Sequence, residues 1–123
     1  NALDAFKRFM RVDPFSSYTA RTVVEIVKVA KAEYDAAIED GRITKAVEYQ
    51  DSRGFVLYAE RLLEAQAKDF AKIDAAKFDD LRRTLAELKT AWPSPVAPEK
   101  PVLDVAAVAA KATAFEKIAE RFF

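Results

Sequence analysis

The sequence predicts an all-α protein, an antiparallel four-helix bundle with a short N-terminal helix and a Pro-rich crossover before the last helix. It forms one domain over residues 1–123. Three observations predict this. Apolar residues recur at steps of three and four in four long segments, the register of a single buried helix face. Both glycines and three of the four tyrosines fall between Val23 and Leu63, around a single Asp40-Gly41 turn. Four of the five prolines fall in one stretch, PSPVAPEKPV, which cannot be helical.

Taken in order, residues 1–11 suit a short amphipathic helix with Leu3, Phe6 and Phe9 or Met10 on one side. Pro14 ends it, because the residue before a proline avoids the helical region. Ser16 or Ser17 offers an N-cap for a long helix from about Tyr18 to Asp40. Its stripe is Val23, Val27, Ala30, Tyr34 and Ala37 or Ile38, widened by Ile26 and Val29. Gly41 is expected to end it. Thr44 is expected to cap a return helix from about Lys45 to Lys68, antiparallel and adjacent because the turn is short.

The return helix carries Val47, Phe55, Tyr58, Leu62 and Ala65. The pattern wavers from Asp69 to Asp74, and Asp74 suits the cap of a third helix, Ala75 to Trp92. Phe78, Leu81, Leu85, Leu88 and Trp92 repeat there with heptad-like spacing. The crossover that follows can travel on the order of 30 Å, enough to run back along a helix. Asp104 caps the last helix, Val105 to Phe122, with its stripe at Val105, Val108, Ala112, Phe115, Ala119 and Phe122.

Composition excludes several functions. Twenty basic and twenty acidic residues cancel, so the basic field of a nucleic-acid binder is missing. With no cysteine and no histidine, the chain has no disulfide, no haem attachment, no histidine base and no nitrogen or sulfur ligand for zinc. A metal would have to be held by oxygen, which suits calcium, magnesium, manganese or ferric iron. No run of about 18 apolar residues exists to cross a membrane. The chain opens Asn1-Ala2-Leu3 without a methionine, as after removal of a signal peptide or trimming.

The candidate site lies at the Asp-Gly corner. On a helical wheel Glu48 and Asp51 precede Phe55, Tyr58 and Leu62, which puts two carboxylates in core register. Glu33 is in register with Ile26, Ala30 and Ala37, Tyr34 lies beside it, and Asp35 borders it. Glu33, Tyr34, Asp35, Glu48 and Asp51 are therefore the candidate metal ligands. An inward carboxylate needs a partner; that partner is either a bound cation or one of Lys28, Lys31, Arg42, Lys45 and Arg53, unless the acids stay solvated. Nothing in the sequence supplies a nucleophile, a base or a cofactor motif, so no enzyme is expected.

The stretch Tyr34-Asp35-Ala36-Ala37-Ile38-Glu39-Asp40-Gly41-Arg42-Ile43, with Glu48-Tyr49-Gln50-Asp51-Ser52-Arg53-Gly54-Phe55, resembles the soluble periplasmic region of bacterial Ftr-type iron permeases. That region reads Tyr-x-x-Ala-Val-x-x-Gly-x-Val, then Glu-Tyr-x-Glu-x-x-Glu-Phe. Here Asp51 replaces a glutamate and Gly54 stands in place of a third acid. The resemblance implies a periplasmic component of iron uptake, binding iron through carboxylate or phenolate oxygens, Tyr34 or Tyr49 among the latter. It implies a handoff to a membrane permease or a periplasmic redox protein. Two other readings stand beside it: a metal-free protein-interaction subunit, and a small-molecule sensor with a pocket among Tyr34, Tyr58 and Trp92. A neutral, phenylalanine-rich bundle is also compatible with a homodimer.

Overall fold

The computed structural model describes residues 14–123; the expected helix over residues 1–11 lies outside them. Four helices follow in order: α1 (Pro14–Ala37), α2 (Ala46–Ala65), α3 (Ala67–Lys89) and α4 (Val105–Ala119). A 3₁₀ turn, Glu120–Phe122, ends the chain. Each helix packs against two neighbours, α1 on α2, α2 on α3, α3 on α4 and α4 on α1. This is the expected antiparallel bundle.

The first helix begins four residues before its expected start. Proline is tolerated in a first turn, where its missing N–H would have no partner. The expected caps Ser16 and Ser17 lie inside the helix, with Ser16 buried. The stripe Val23, Val27, Ala30, Tyr34 and Ala37 is buried as expected, but Val29 is exposed.

The corner differs from a simple helix end. Ile38–Glu39 (β1) and Arg42–Ile43 (β2) pair antiparallel, Ile38 opposite Ile43 and Glu39 opposite Arg42. Between them Asp40 and Gly41 have φ values of 51° and 72°, as a tight hairpin turn of the primed kind requires. The α1 carbonyl of Ala37 accepts from the Thr44 and Lys45 amides at 2.9 and 3.3 Å. Helix α2 therefore starts after Lys45, and Thr44 is not its cap. Gly41 closes a hairpin rather than α1.

The two glycines predict opposite responses to alanine. At Gly41 a Cβ would sit in a left-handed backbone, so Gly41→Ala should lower stability by about 1–2 kcal/mol. Gly54 is an exposed residue inside α2 whose Cβ would meet nothing within 4 Å. There alanine should raise stability by about 0.5–1 kcal/mol. Urea denaturation of both variants checks the signs.

Helix α2 ends at Ala65, and Gln66 (φ −117°, ψ 23°) separates it from α3. Gln66 is buried and neither amide atom has a hydrogen-bond partner. Asp74 kinks α3 with extended φ and ψ of −164° and 93°. It caps the longer half as the sequence predicts, accepting from the Lys77 amide at 3.0 Å, and it also accepts from Arg121 at 3.0 Å. These contacts hold its carboxyl below the usual range, the Lys77 hydrogen bond first. Asp104 caps α4, accepting from the Ala107 amide at 2.7 Å. The stripe Phe78 to Trp92 is buried as expected, as is the last one from Val108 to Phe122, but Val105 at its start is only half-buried.

The crossover does not run back along the bundle. Both its ends stay at the hairpin end, because Tyr49 Oη donates to the Ser94 carbonyl at 2.7 Å and Tyr34 Oη to the Leu103 carbonyl at 2.5 Å. Helix α4 therefore starts beside the end of α1 and runs antiparallel to both its neighbours.

Candidate functional site

The wheel of α2 settles which residues face the core. Tyr49, Ser52, Val56, Ala59 and Leu63 are its buried side chains. The stripe expected to be core, Glu48-Asp51-Phe55-Tyr58-Leu62, lies one residue round the helix. Asp51, Phe55 and Tyr58 are exposed, and Glu48 and Leu62 are half-buried. Only the middle of the true inner face, Ser52, Val56 and Ala59, is lined by smaller side chains. Two helices approach closely only where the side chains between them are small.

Tyrosine and tryptophan fill the space at the hairpin end. Trp92 Nε1 donates to Ser52 Oγ at 2.7 Å, and Ser52 Oγ donates to the Tyr49 carbonyl at 2.8 Å. The Tyr34 and Trp92 rings meet edge to face, centroids 5.1 Å apart. Tyr34, Tyr49 and Trp92 are all buried, and each directs its one polar hydrogen to an acceptor. Burial, helped by Tyr49 and Asp104, pushes the Tyr34 phenol up to about 12; burial also raises Tyr49. At neutral pH both are protonated donors that hold the crossover. Because Tyr34 and Trp92 pack on each other while Tyr58 is half exposed, the three do not line one pocket.

The carboxylates separate into two groups. Residues two apart on a helix lie about 200° apart around its axis, so Glu33 and Asp35 flank opposite sides of the buried stripe. Asp35 faces a groove between α1 and α4, lined by Lys28, Lys31, Ala32, Ala112, Thr113 and Glu116. Glu33 lies on the α2 side, one turn before the end of α1. Glu48 opens α2 on the flank turned to α1, and Asp51 stands exposed one turn on. Of the five candidates, Glu33, Glu48 and Asp51 share the α1–α2 side at the hairpin end; Tyr34 and Asp35 do not. Among the described residues no three acids are grouped closely enough to hold a metal ion.

Three of the five expected basic partners are engaged elsewhere, while Lys31 and Arg53 make no ion pair among the described residues. Lys28 bridges Glu25 at 3.4 Å and Glu116 at 3.3 Å, Arg42 reaches Glu99 at 4.0 Å, and Lys45 reaches Glu39 at 3.5 Å. Glu116, by hydrogen bond and charge, is the main reason the Lys28 ammonium is raised. Glu33, Glu48 and Asp51 have no ion pair or hydrogen bond among the described residues. The residues that sequence reasoning missed are Ser52 and the carbonyls of Ser94 and Leu103. The signal for Ser52 was its place in the alternative stripe with Tyr49 and Val56; the carbonyls leave none.

No described helix is long and apolar enough to cross a membrane. No curated protein and no solved structure matches the chain. The model of the iron permease-associated 4-helix bundle domain matches residues 16–123, from the first turn of α1 through the terminal 3₁₀ turn. The chain belongs to the iron permease-associated four-helix bundle family.

Proposed function

We propose that the domain serves iron uptake from the periplasmic side, drawing iron loosely to the separate carboxylates of Glu33, Glu48 and Asp51, which form no closed site, and passing it to the permease. The observation that carries this reading is the trio of carboxylates left without a basic partner at one end of an iron permease-associated bundle. In a chain without histidine or cysteine, oxygen is the available ligand, and it suits a hard ion. Solvated acids on two helices hold such an ion weakly and release it quickly, which fits delivery better than storage. Asp35 and Tyr34 take no part.

Calorimetric titration with ferrous iron under anaerobic conditions, and with manganese, tests it. Weak binding is expected, with the melting temperature rising by mass action; at ten times Kd the gain is about 1.4 kcal/mol. The pair Glu48→Gln and Asp51→Asn should remove both signals, whereas Asp35→Asn should leave them. Absence of any heat or thermal shift in the unsubstituted protein would overturn the reading.

A further inference from the structure

Three of the four seams between neighbouring helices are crossed by ion pairs. Arg82 grips Glu64 with Nε at 2.7 Å and Nη2 at 2.6 Å, and Lys89 meets Glu60 at 3.0 Å, both between α2 and α3. Lys111 joins Glu87 at 3.2 Å between α3 and α4, and Lys28 joins Glu116 between α4 and α1. Among the described residues no ion pair crosses the α1–α2 seam. Its outer surface carries apolar side chains instead: Tyr18 is 68% exposed, Val47 65%, Tyr58 50%, Val29 44% and Phe55 37%. Five of the eight large apolar side chains exposed among the described residues gather on this face, which marks a surface that meets another molecule.

Two further observations define that molecule. The stripes Tyr18-Thr22-Ile26-Val29-Glu33 on α1 and Val47-Asp51-Phe55-Tyr58-Leu62 on α2 contain no lysine or arginine. The face is therefore apolar along its length and negative at the hairpin end, where Glu33, Glu48 and Asp51 lack cations. Gly54 lies beside this stripe, one turn from Tyr58, with open space where a side chain would be. A glycine inside an exposed helix weakens it by about 0.5–1 kcal/mol and packs nothing within this chain; it leaves room for another backbone to approach closely.

We propose that the α1–α2 face docks a helix of the permease, one with an apolar stripe and with lysine or arginine set toward the hairpin end. The surface chemistry stands on its own; only the partner's identity rests on the iron-uptake reading. Anionic lipid is disfavoured by the unpaired carboxylates, and a second copy would supply no positive charge from the same face. Iron and the partner's cationic groups would compete for the same carboxylates, so docking would favour release of the ion.

The test places p-benzoylphenylalanine at position 58, and separately at the exposed Arg83 on α3, in cells making the intact permease system. Irradiation should link position 58, but not position 83, to the permease chain. Gly54→Leu fills the notch; it should cut the crosslink at least about tenfold, the loss a single interfacial hot spot carries, without lowering the melting temperature. A product of two domain copies, or binding of the purified domain to phosphatidylglycerol vesicles through this face, would overturn the proposal, as would equal crosslinking at the two positions. If the crosslink forms yet the purified domain binds no iron, the docking surface stands and the iron-recruiting reading falls.

Discussion

Phe70→Ala is expected to cost about 3–5 kcal/mol, the range for emptying a buried phenylalanine site. Phe70 lies on the short segment of α3 before the Asp74 kink, where it is the fully buried side chain. Its ring stacks on Phe78 at 5.2 Å with planes 13° apart, and meets Phe122 edge to face at 5.2 Å. One side chain thus joins both halves of a kinked helix to the C-terminal turn. The neighbouring backbone is held by Asp74, whose contacts to Lys77 and Arg121 would resist collapse into the void. Phe55→Ala is the matched comparison: Phe55 is 37% exposed, and the change should cost no more than about 1 kcal/mol. Urea denaturation of the two variants tests the assignment of inside and outside, and comparable losses would refute it.

Alkali should loosen the hairpin end. In the unfolded chain tyrosine ionises near pH 10, whereas Tyr34 in the fold is pushed up to about 12. A folded-state pKa above the unfolded value means the fold keeps a proton that the unfolded chain has released. The stabilisation is fully present below about pH 10 and is lost as pH rises toward 12. A two-unit shift corresponds to at most ~2.7 kcal/mol, and the raised Tyr49 acts in the same direction. Tyr34→Phe should lower stability at neutral pH by about 1–2 kcal/mol, because the Leu103 carbonyl loses its donor. It should also flatten the alkaline decline. Denaturation between pH 8 and pH 11.5 measures both effects, and an unchanged slope in the variant would contradict them.

These two sites also show what the sequence could convey. Helix α4 and the longer half of α3 are legible because each has one dominant apolar face and an aspartate cap, Asp104 and Asp74, at its start. Helix α2 has two stripes one residue apart. The one with Phe55, Tyr58 and Leu62 reads as core by hydrophobicity, but the fold buries the other, with Tyr49, Ser52, Val56, Ala59 and Leu63. A choice made by tertiary packing leaves little trace in a single helix's composition. The carboxylates followed that choice: Glu48 and Asp51 moved from core register to the flank and the open surface. The Asp-Gly pair is similarly ambiguous, since the same residues end a helix or close a hairpin. The four residues flanking it are too few to show a strand pattern. The tyrosines were conspicuous, but their acceptors are backbone carbonyls in the crossover, which no side-chain motif announces.

Trp92, the chain's single tryptophan, gives the hairpin end its own spectroscopic voice. Its indole donates to Ser52 and abuts Tyr34 where α3 passes into the crossover, whereas the opposite end is lined by Phe70, Phe78 and Phe122, which emit little. Intrinsic fluorescence therefore watches the crossover and the two tyrosines that hold it, while circular dichroism averages over all four helices. Followed together on one sample, the two signals distinguish a bundle that melts as one body from one whose crossover lifts away first.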